Sequence, residues 1–167
     1  MRKRLWQKLP LGIRVWIEKI STAISTVRLR TREIKWHARC SIVGMEDQDP
    51  LTERIIGCAI EVHRQLGPGL LESAYQAALS VELAFNRLRF ERERTIRIEY
   101  RGLEIGHYRP DLIVENAVVV EVKSVSGYDP VFTAQMLTYL RITGLKTGLL
   151  LNFNRAVLKD GIKRFVL

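Results

Sequence analysis

"RPDLIVENAVVVEVKSV", residues 109–125, holds two apolar runs that meet at Glu115–Asn116, and each run carries charge. Asp111 opens the first; Glu121 and Lys123 interrupt the second. Runs of Val, Ile and Leu favour strands, and Asn tolerates a tight turn, so a β-hairpin is expected. Side chains alternate along a strand, which puts Glu121 and Lys123 on one face. Opposed residues of an antiparallel pair have a constant sum of numbers. A three-residue loop, Glu115–Asn116–Ala117, sets Asp111 opposite Glu121 and gathers all three charges on one face. A two-residue loop sets Asp111 opposite Val120 and separates them. The chemistry of the stretch therefore depends on its register.

Two neighbouring carboxylates repel unless one is protonated or a cation bridges them. Oxygen ligands with retained waters suit Mg²⁺ or Mn²⁺. Such an ion polarises a phosphoryl oxygen and makes bound water more acidic. Lys123 would orient that water or stabilise developing negative charge. The competing reading is structural: an ion pair of Lys123 with Glu121 or Asp111 at the hairpin end. An Asp followed by an ExK triplet recurs by chance in many strands, so the hairpin alone leaves both readings open.

Outward from the hairpin, the pattern is orderly from residue 51 onward. "PLTERIIGCAIEVHRQLGPG" reads as a helix with Thr52 as N-cap and a stop at Gly67–Pro68–Gly69. "LLESAYQAALSVELAFNRL" repeats its apolar residues at helical spacing and reads as a second helix. "RFERERTIRIEYRG" alternates as one half-exposed strand that turns at Arg101–Gly102. "LEIGHYRPDLIVEN" and "AVVVEVKSV" are the next strands. "DPVFTAQMLTYLRIT" is a third helix, starting near Asp129–Pro130 and ending before Gly144. "KTGLLLNF" is a buried strand, and "VLKDGIKRFVL" a last turn and strand. Gln135 and Tyr139 lie four apart on the third helix, hence on one face. Glu72 begins the second helix, where a carboxylate is mildly favoured anyway.

With 167 residues and 47% apolar content, the chain is long enough for one domain with a sizeable core. No stretch reaches the roughly 18 uncharged apolar residues of a membrane span. Cys40 and Cys58 have no zinc spacing and make no disulfide framework, so a reducing, cytoplasmic setting is expected. The net charge of +9 first suggests nucleic acid. It is not spread evenly. Residues 1–40 hold eleven Lys and Arg against two carboxylates, and the remaining residues balance at sixteen of each.

Trp6, Leu9, Ile13, Trp16, Ile20 and Val27 recur near heptad spacing with the basic residues off the stripe. Residues 1–44 therefore read as a basic amphipathic N-terminal extension, interrupted at Pro10. Contact with an anionic surface, lipid or nucleic acid, is one reading, and a transit-like segment is a second. The favoured reading is that translation starts at Met45, with residues 45–167 as the working domain.

Several motifs in order resemble the GxxExxY proteins, a branch of the PD-(D/E)XK nuclease superfamily. "GLLESAY" supplies Gly69, Glu72 and Tyr75. Pro110–Asp111 and Glu121–Val122–Lys123 match the PD and ExK elements. "AQMLTYL" matches the superfamily's QxxxY helix, and "GLLLNF" its following strand. The resemblance spans about residues 50–167. It implies an α/β, restriction-endonuclease-like core with a central mixed β-sheet flanked by helices. It also implies Mg²⁺- or Mn²⁺-dependent hydrolysis of phosphodiester bonds in DNA or RNA. Asp111, Glu121 and the Val122 carbonyl would hold the metal, with Glu72 as a third acidic ligand. Lys123 would assist the water, and Gln135 and Tyr139 would hold Lys123 or the phosphate backbone. The alternative is a catalytically silent nuclease-fold module that binds nucleic acid or serves as a complex subunit. Arg87, Arg89 and Arg109 are weaker candidates for phosphate contacts. Tyr128 is a candidate for base stacking or loop packing, and His107 for substrate contact.

Overall fold

The computed structural model describes residues 41–42 and 49–167; the basic amphipathic extension expected over residues 1–44 lies outside them except for Ser41–Ile42. In chain order come β1 (Ser41–Ile42), α1 (Pro50–Leu66), α2 (Glu72–Phe85) and β2 (Phe90–Arg92). Then follow β3 (Ile96–Tyr100), β4 (Leu103–Tyr108), β5 (Leu112–Val114) and β6 (Val118–Lys123). The chain continues through α3 (Pro130–Thr143), β7 (Thr147–Asn152), a 3₁₀ turn (Leu158–Gly161) and β8 (Ile162–Val166). Six strands form one sheet in the order β1-β8-β7-β6-β5-β2, and β3 and β4 form a separate two-stranded sheet. Among the described residues only β6 and β7 pair in parallel, with α3 crossing between them, so the sheet is mixed.

The alternation along β6 assigns the two faces. Val118, Val120 and Val122 join the core against α1 and α2, with Ile55, Leu79 and Phe153. Val119 joins the core against α3, with Met136, Leu140 and Phe165. Glu121 and Lys123 follow Val119 on that second face. Close approach of α3 to the sheet is permitted by Gly148, where any Cβ would overlap the Met136 thioether. Cys58 is buried between α1 and α2, its Sγ 3.9 Å from the Glu82 carbonyl. Burial first, and then the nearby Glu82 carboxylate, push its thiol above the ordinary value.

Three expectations need correction. The N-cap of α1 is Asp49, whose carboxylate accepts from Leu51 N–H, while Pro50 takes the first helical position. Thr52 lies inside the helix and its hydroxyl donates to the Asp49 carbonyl. "RFERERTIRIEYRG" is two strands, broken at Glu93 with φ +47°, and β2 and β3 belong to different sheets. "LEIGHYRPDLIVEN" is likewise two strands, broken at Arg109–Asp111. Pro110 has no N–H to continue a ladder, and the Arg109 carbonyl is taken by a side chain of α3.

Candidate active site

The hairpin register places the charges. Leu112 pairs with Val120, Ile113 with Val119 and Val114 with Val118, so each pair sums to 232. The turn is the three-residue loop Glu115–Asn116–Ala117, closed by Ala117 N–H donating to the Val114 carbonyl at 3.0 Å. Glu115 and Asn116 both take φ +50°. Asn suits that conformation; Glu115 is held there by Arg89, which donates to its carboxylate through the backbone and the guanidinium.

Continuing the register one residue beyond Leu112 brings Asp111 beside Glu121. The two interlock through the main chain: Asp111 N–H donates to Glu121 Oε1 at 3.2 Å, and Val122 N–H donates to Asp111 Oδ2 at 2.7 Å. Lys123 Nζ donates to Glu121 Oε2 at 3.2 Å, the Val122 carbonyl at 2.9 Å and Glu72 Oε1 at 3.3 Å. Glu121 is 2% exposed and Lys123 8%. Burial, reinforced by Asp111, pushes the Glu121 carboxyl up to about 7. Burial also raises Asp111, against the lowering effect of its bond from Val122. Burial pulls the Lys123 ammonium down, but Glu121, Asp111 and Glu72 together hold it above its usual value.

Glu72 reaches this cluster because the loop before α2 is fixed. Gly67 and Gly69 adopt φ +66° and +103°, conformations that side chains resist. The Tyr75 hydroxyl donates to the Gly67 carbonyl at 2.6 Å and accepts from Leu70 N–H at 3.1 Å, with its ring stacked on Phe153. Ser124 Oγ donates to the Leu70 carbonyl at 2.7 Å and ties the loop to the end of β6. Tyr75 thus clamps the loop from inside the core, and Glu72 emerges at the first turn beside Lys123.

Gln135 and Tyr139 share a face of α3, but neither bonds to Lys123. Gln135 Nε2 donates to the Tyr139 hydroxyl at 3.0 Å, and that hydroxyl donates to the Arg109 carbonyl at 3.3 Å. Burial and the Glu121 carboxylate raise the Tyr139 phenol. The pair holds the backbone two residues before Asp111. Gln76, which the sequence reading passed over, donates toward the Asp111 carboxylate. Its signal was the four-residue spacing from Glu72 on one helix face. Asn152 is a second omission: its amide bonds Val125 N–H and carbonyl at 3.0 and 2.8 Å, fixing the loop after β6.

Of the other candidates, Arg89 and His107 are engaged elsewhere, and Tyr128 stands in the loop after β6 on a cavity shared with Lys123. Arg89 is held by Glu115. His107 pairs with Arg97 in the two-stranded sheet. Tyr128 has the Lys163 ammonium 3.0 Å from its ring centre and Phe132 at its edge.

A divalent cation fits the donor set on two grounds. The Val122 carbonyl and the carboxylates of Glu72 and Glu121 already face one positive charge, the Lys123 ammonium. With Asp111, three carboxylates surround that one ammonium and leave an excess negative charge that burial makes costly. Among the described residues no three side-chain ligands stand close enough together to enclose an ion by themselves. A main-chain carbonyl and waters would complete the shell, as Mg²⁺ commonly requires.

A family model described as the PD-(D/E)XK nuclease superfamily matches residues 49–165. No curated protein and no solved structure matches the chain.

Proposed function

The chain belongs to the PD-(D/E)XK nuclease superfamily, and from that membership we propose that it is a divalent-metal-dependent nuclease of the GxxExxY type. Its substrate is DNA or RNA, and its reaction is hydrolysis of a phosphodiester bond. The observation that carries this reading is the convergence of Asp111, Glu121, Glu72 and Lys123 at one end of β6. Asp111, Glu121, Glu72 and the Val122 carbonyl are hard oxygen donors suited to Mg²⁺ or Mn²⁺. Bound there, the cation supplies Lewis-acid stabilisation of the phosphate and a more acidic water. Lys123, anchored by Glu121 and Glu72, places a positive charge where negative charge develops on phosphate oxygens. Tyr139 and Gln135 are positioning residues: through the Arg109 carbonyl they fix the backbone that presents Asp111. Gln76 orients the Asp111 carboxylate from the α2 side.

The rival reading, a silent module for nucleic-acid binding or assembly, draws on the same ammonium. Lys123 already has three partners, so the cluster is also a closed ion-pair network. Cleavage assays with Mg²⁺ or Mn²⁺ on single-stranded, double-stranded and structured substrates separate the two. Asp111→Asn and Lys123→Ala should each lower cleavage at least roughly 10²–10³-fold with the circular dichroism spectrum unchanged. Wild-type rates from both variants would exclude the nuclease reading.

A further inference from the structure

Beside Lys123 lies a cavity that the proposed chemistry leaves unused. It measures about 30 Å³ and is walled by Lys123, Tyr128, Arg155, Asp160, Gly161 and Lys163. Lys123 is the wall it shares with the candidate active site. The other walls come from the loop after β6, the segment after β7 and the start of β8.

The cavity is built from fixed parts. Asn152 bonds both backbone groups of Val125 and so holds the loop that leads to Tyr128. Gly161 sits so close to the end of β7 that a Cβ there would overlap the Asn152 carbonyl and crowd Arg155 Cγ. Arg155 Nε is shut off from solvent and has no hydrogen-bond partner. A buried guanidinium N–H without an acceptor is unfavourable and rare. Among the described residues neither Arg155 nor Lys163 takes part in an ion pair. The Lys163 ammonium instead lies over the Tyr128 ring. Asp160, exposed at the rim, is the one carboxylate, set against the three cations Lys123, Arg155 and Lys163.

Charge and size select the ligand class. Residues 41–167 balance overall, yet residues 153–167 carry four cations (Arg155, Lys159, Lys163 and Arg164) against Asp160 alone. A water needs roughly 10–15 Å³ of such space, so the cavity has room for two or three waters and not for a nucleobase. One face of Tyr128 is already covered by Lys163.

We infer that this cavity is a phosphate subsite, in which Arg155 and Lys163 hold a phosphate of the nucleic-acid strand adjacent to the one presented to Asp111, Glu121 and Lys123. The inference rests on the nuclease reading for the identity of the strand. The phosphate is either an internal phosphodiester or a terminal phosphomonoester, and both present anionic oxygens to a guanidinium and an ammonium.

The test is equilibrium binding of labelled oligonucleotides to the full chain, with and without a terminal phosphate, in EDTA across a salt series. Arg155→Gln and Lys163→Gln should each weaken binding several-fold and lower the slope of log affinity against log salt by roughly 0.7–0.9. Arg155→Lys should keep the slope. Melting temperatures near wild type certify that the variants fold. A loss on every oligonucleotide identifies an internal phosphodiester; a loss confined to end-phosphorylated ones identifies a terminal phosphate. Wild-type affinity and slope in both Gln variants, while Lys123→Ala still abolishes cleavage, would overturn the subsite and leave the nuclease reading intact. A wild-type chain that neither binds nor cuts any substrate would overturn both.

Discussion

At the scale of the residue, Glu121 is the group whose protonation reports on the site. In the unfolded chain it titrates near 4.5, and in the folded protein burial and Asp111 move it to about 7. Between those values the native state binds a proton that the unfolded chain has lost. The stability from this group is therefore fully present below about pH 4.5 and is lost as pH rises through 7. The metal-free melting temperature should fall from pH 5 to pH 8 more steeply in wild type than in Glu121→Gln, measured in EDTA. Added Mg²⁺ should raise it more at pH 8 than at pH 5.5, because protons compete for the same carboxylate. Parallel pH curves for the two proteins would mean that Glu121 keeps its ordinary acidity. The candidate residues Asp111, Glu121 and Lys123 were legible because their charge stands out in apolar strands. Gln76 was signalled only by its four-residue spacing from Glu72, and Asn152, a neutral amide at a strand end, carries no such contrast.

At the scale of the element, two contacts set the position of the carboxylates. The Tyr75 hydroxyl satisfies two backbone groups of the loop that leads into α2. Tyr75→Phe should cost about 0.5–1.5 kcal/mol per hydrogen bond lost in urea unfolding, since the half-exposed Gly67 carbonyl and Leu70 N–H lose their partner but can turn to water. It should also slow cleavage, because Glu72 is presented by that loop. Gly148 lets α3 lie against β7, and Gly148→Ala should cost about 1–3 kcal/mol by overpacking Met136. Adding Met136→Ala should cost less in the Gly148→Ala background than in wild type, because the two share one space. The three helices were legible from periodicity, and α3 begins and ends where its Asp129–Pro130 and Gly144 signals place it. The breaks at Glu93 and Arg109–Asp111 were not. The charged run over residues 91–94 offers no apolar alternation whose end could be read, and Pro110 is compatible with a strand edge, so the division into two sheets is what separates the ladders.

At the scale of the whole molecule, the candidate site lies where α2 on one face and α3 on the other reach the same end of β6. The mixed sheet flanked by helices was legible from element order together with the family resemblance. The addition of Ser41–Ile42 at the β8 edge was not, because two residues carry no periodicity. A cation held by residues of both faces would brace the entire domain. Mg²⁺ at a hundred times its dissociation constant should stabilise the fold by about 2.7 kcal/mol, read as a raised melting temperature. Asp111→Asn should abolish that rise. Cys58 supplies a second gauge of the same bracing. Its thiol is enclosed between α1 and α2 and is kept protonated, so alkylating reagents meet it only when the helices part. In a chain carrying Cys40→Ser, the labelling rate of Cys58 becomes a chemical clock for the opening of the core, one that a bound cation should slow.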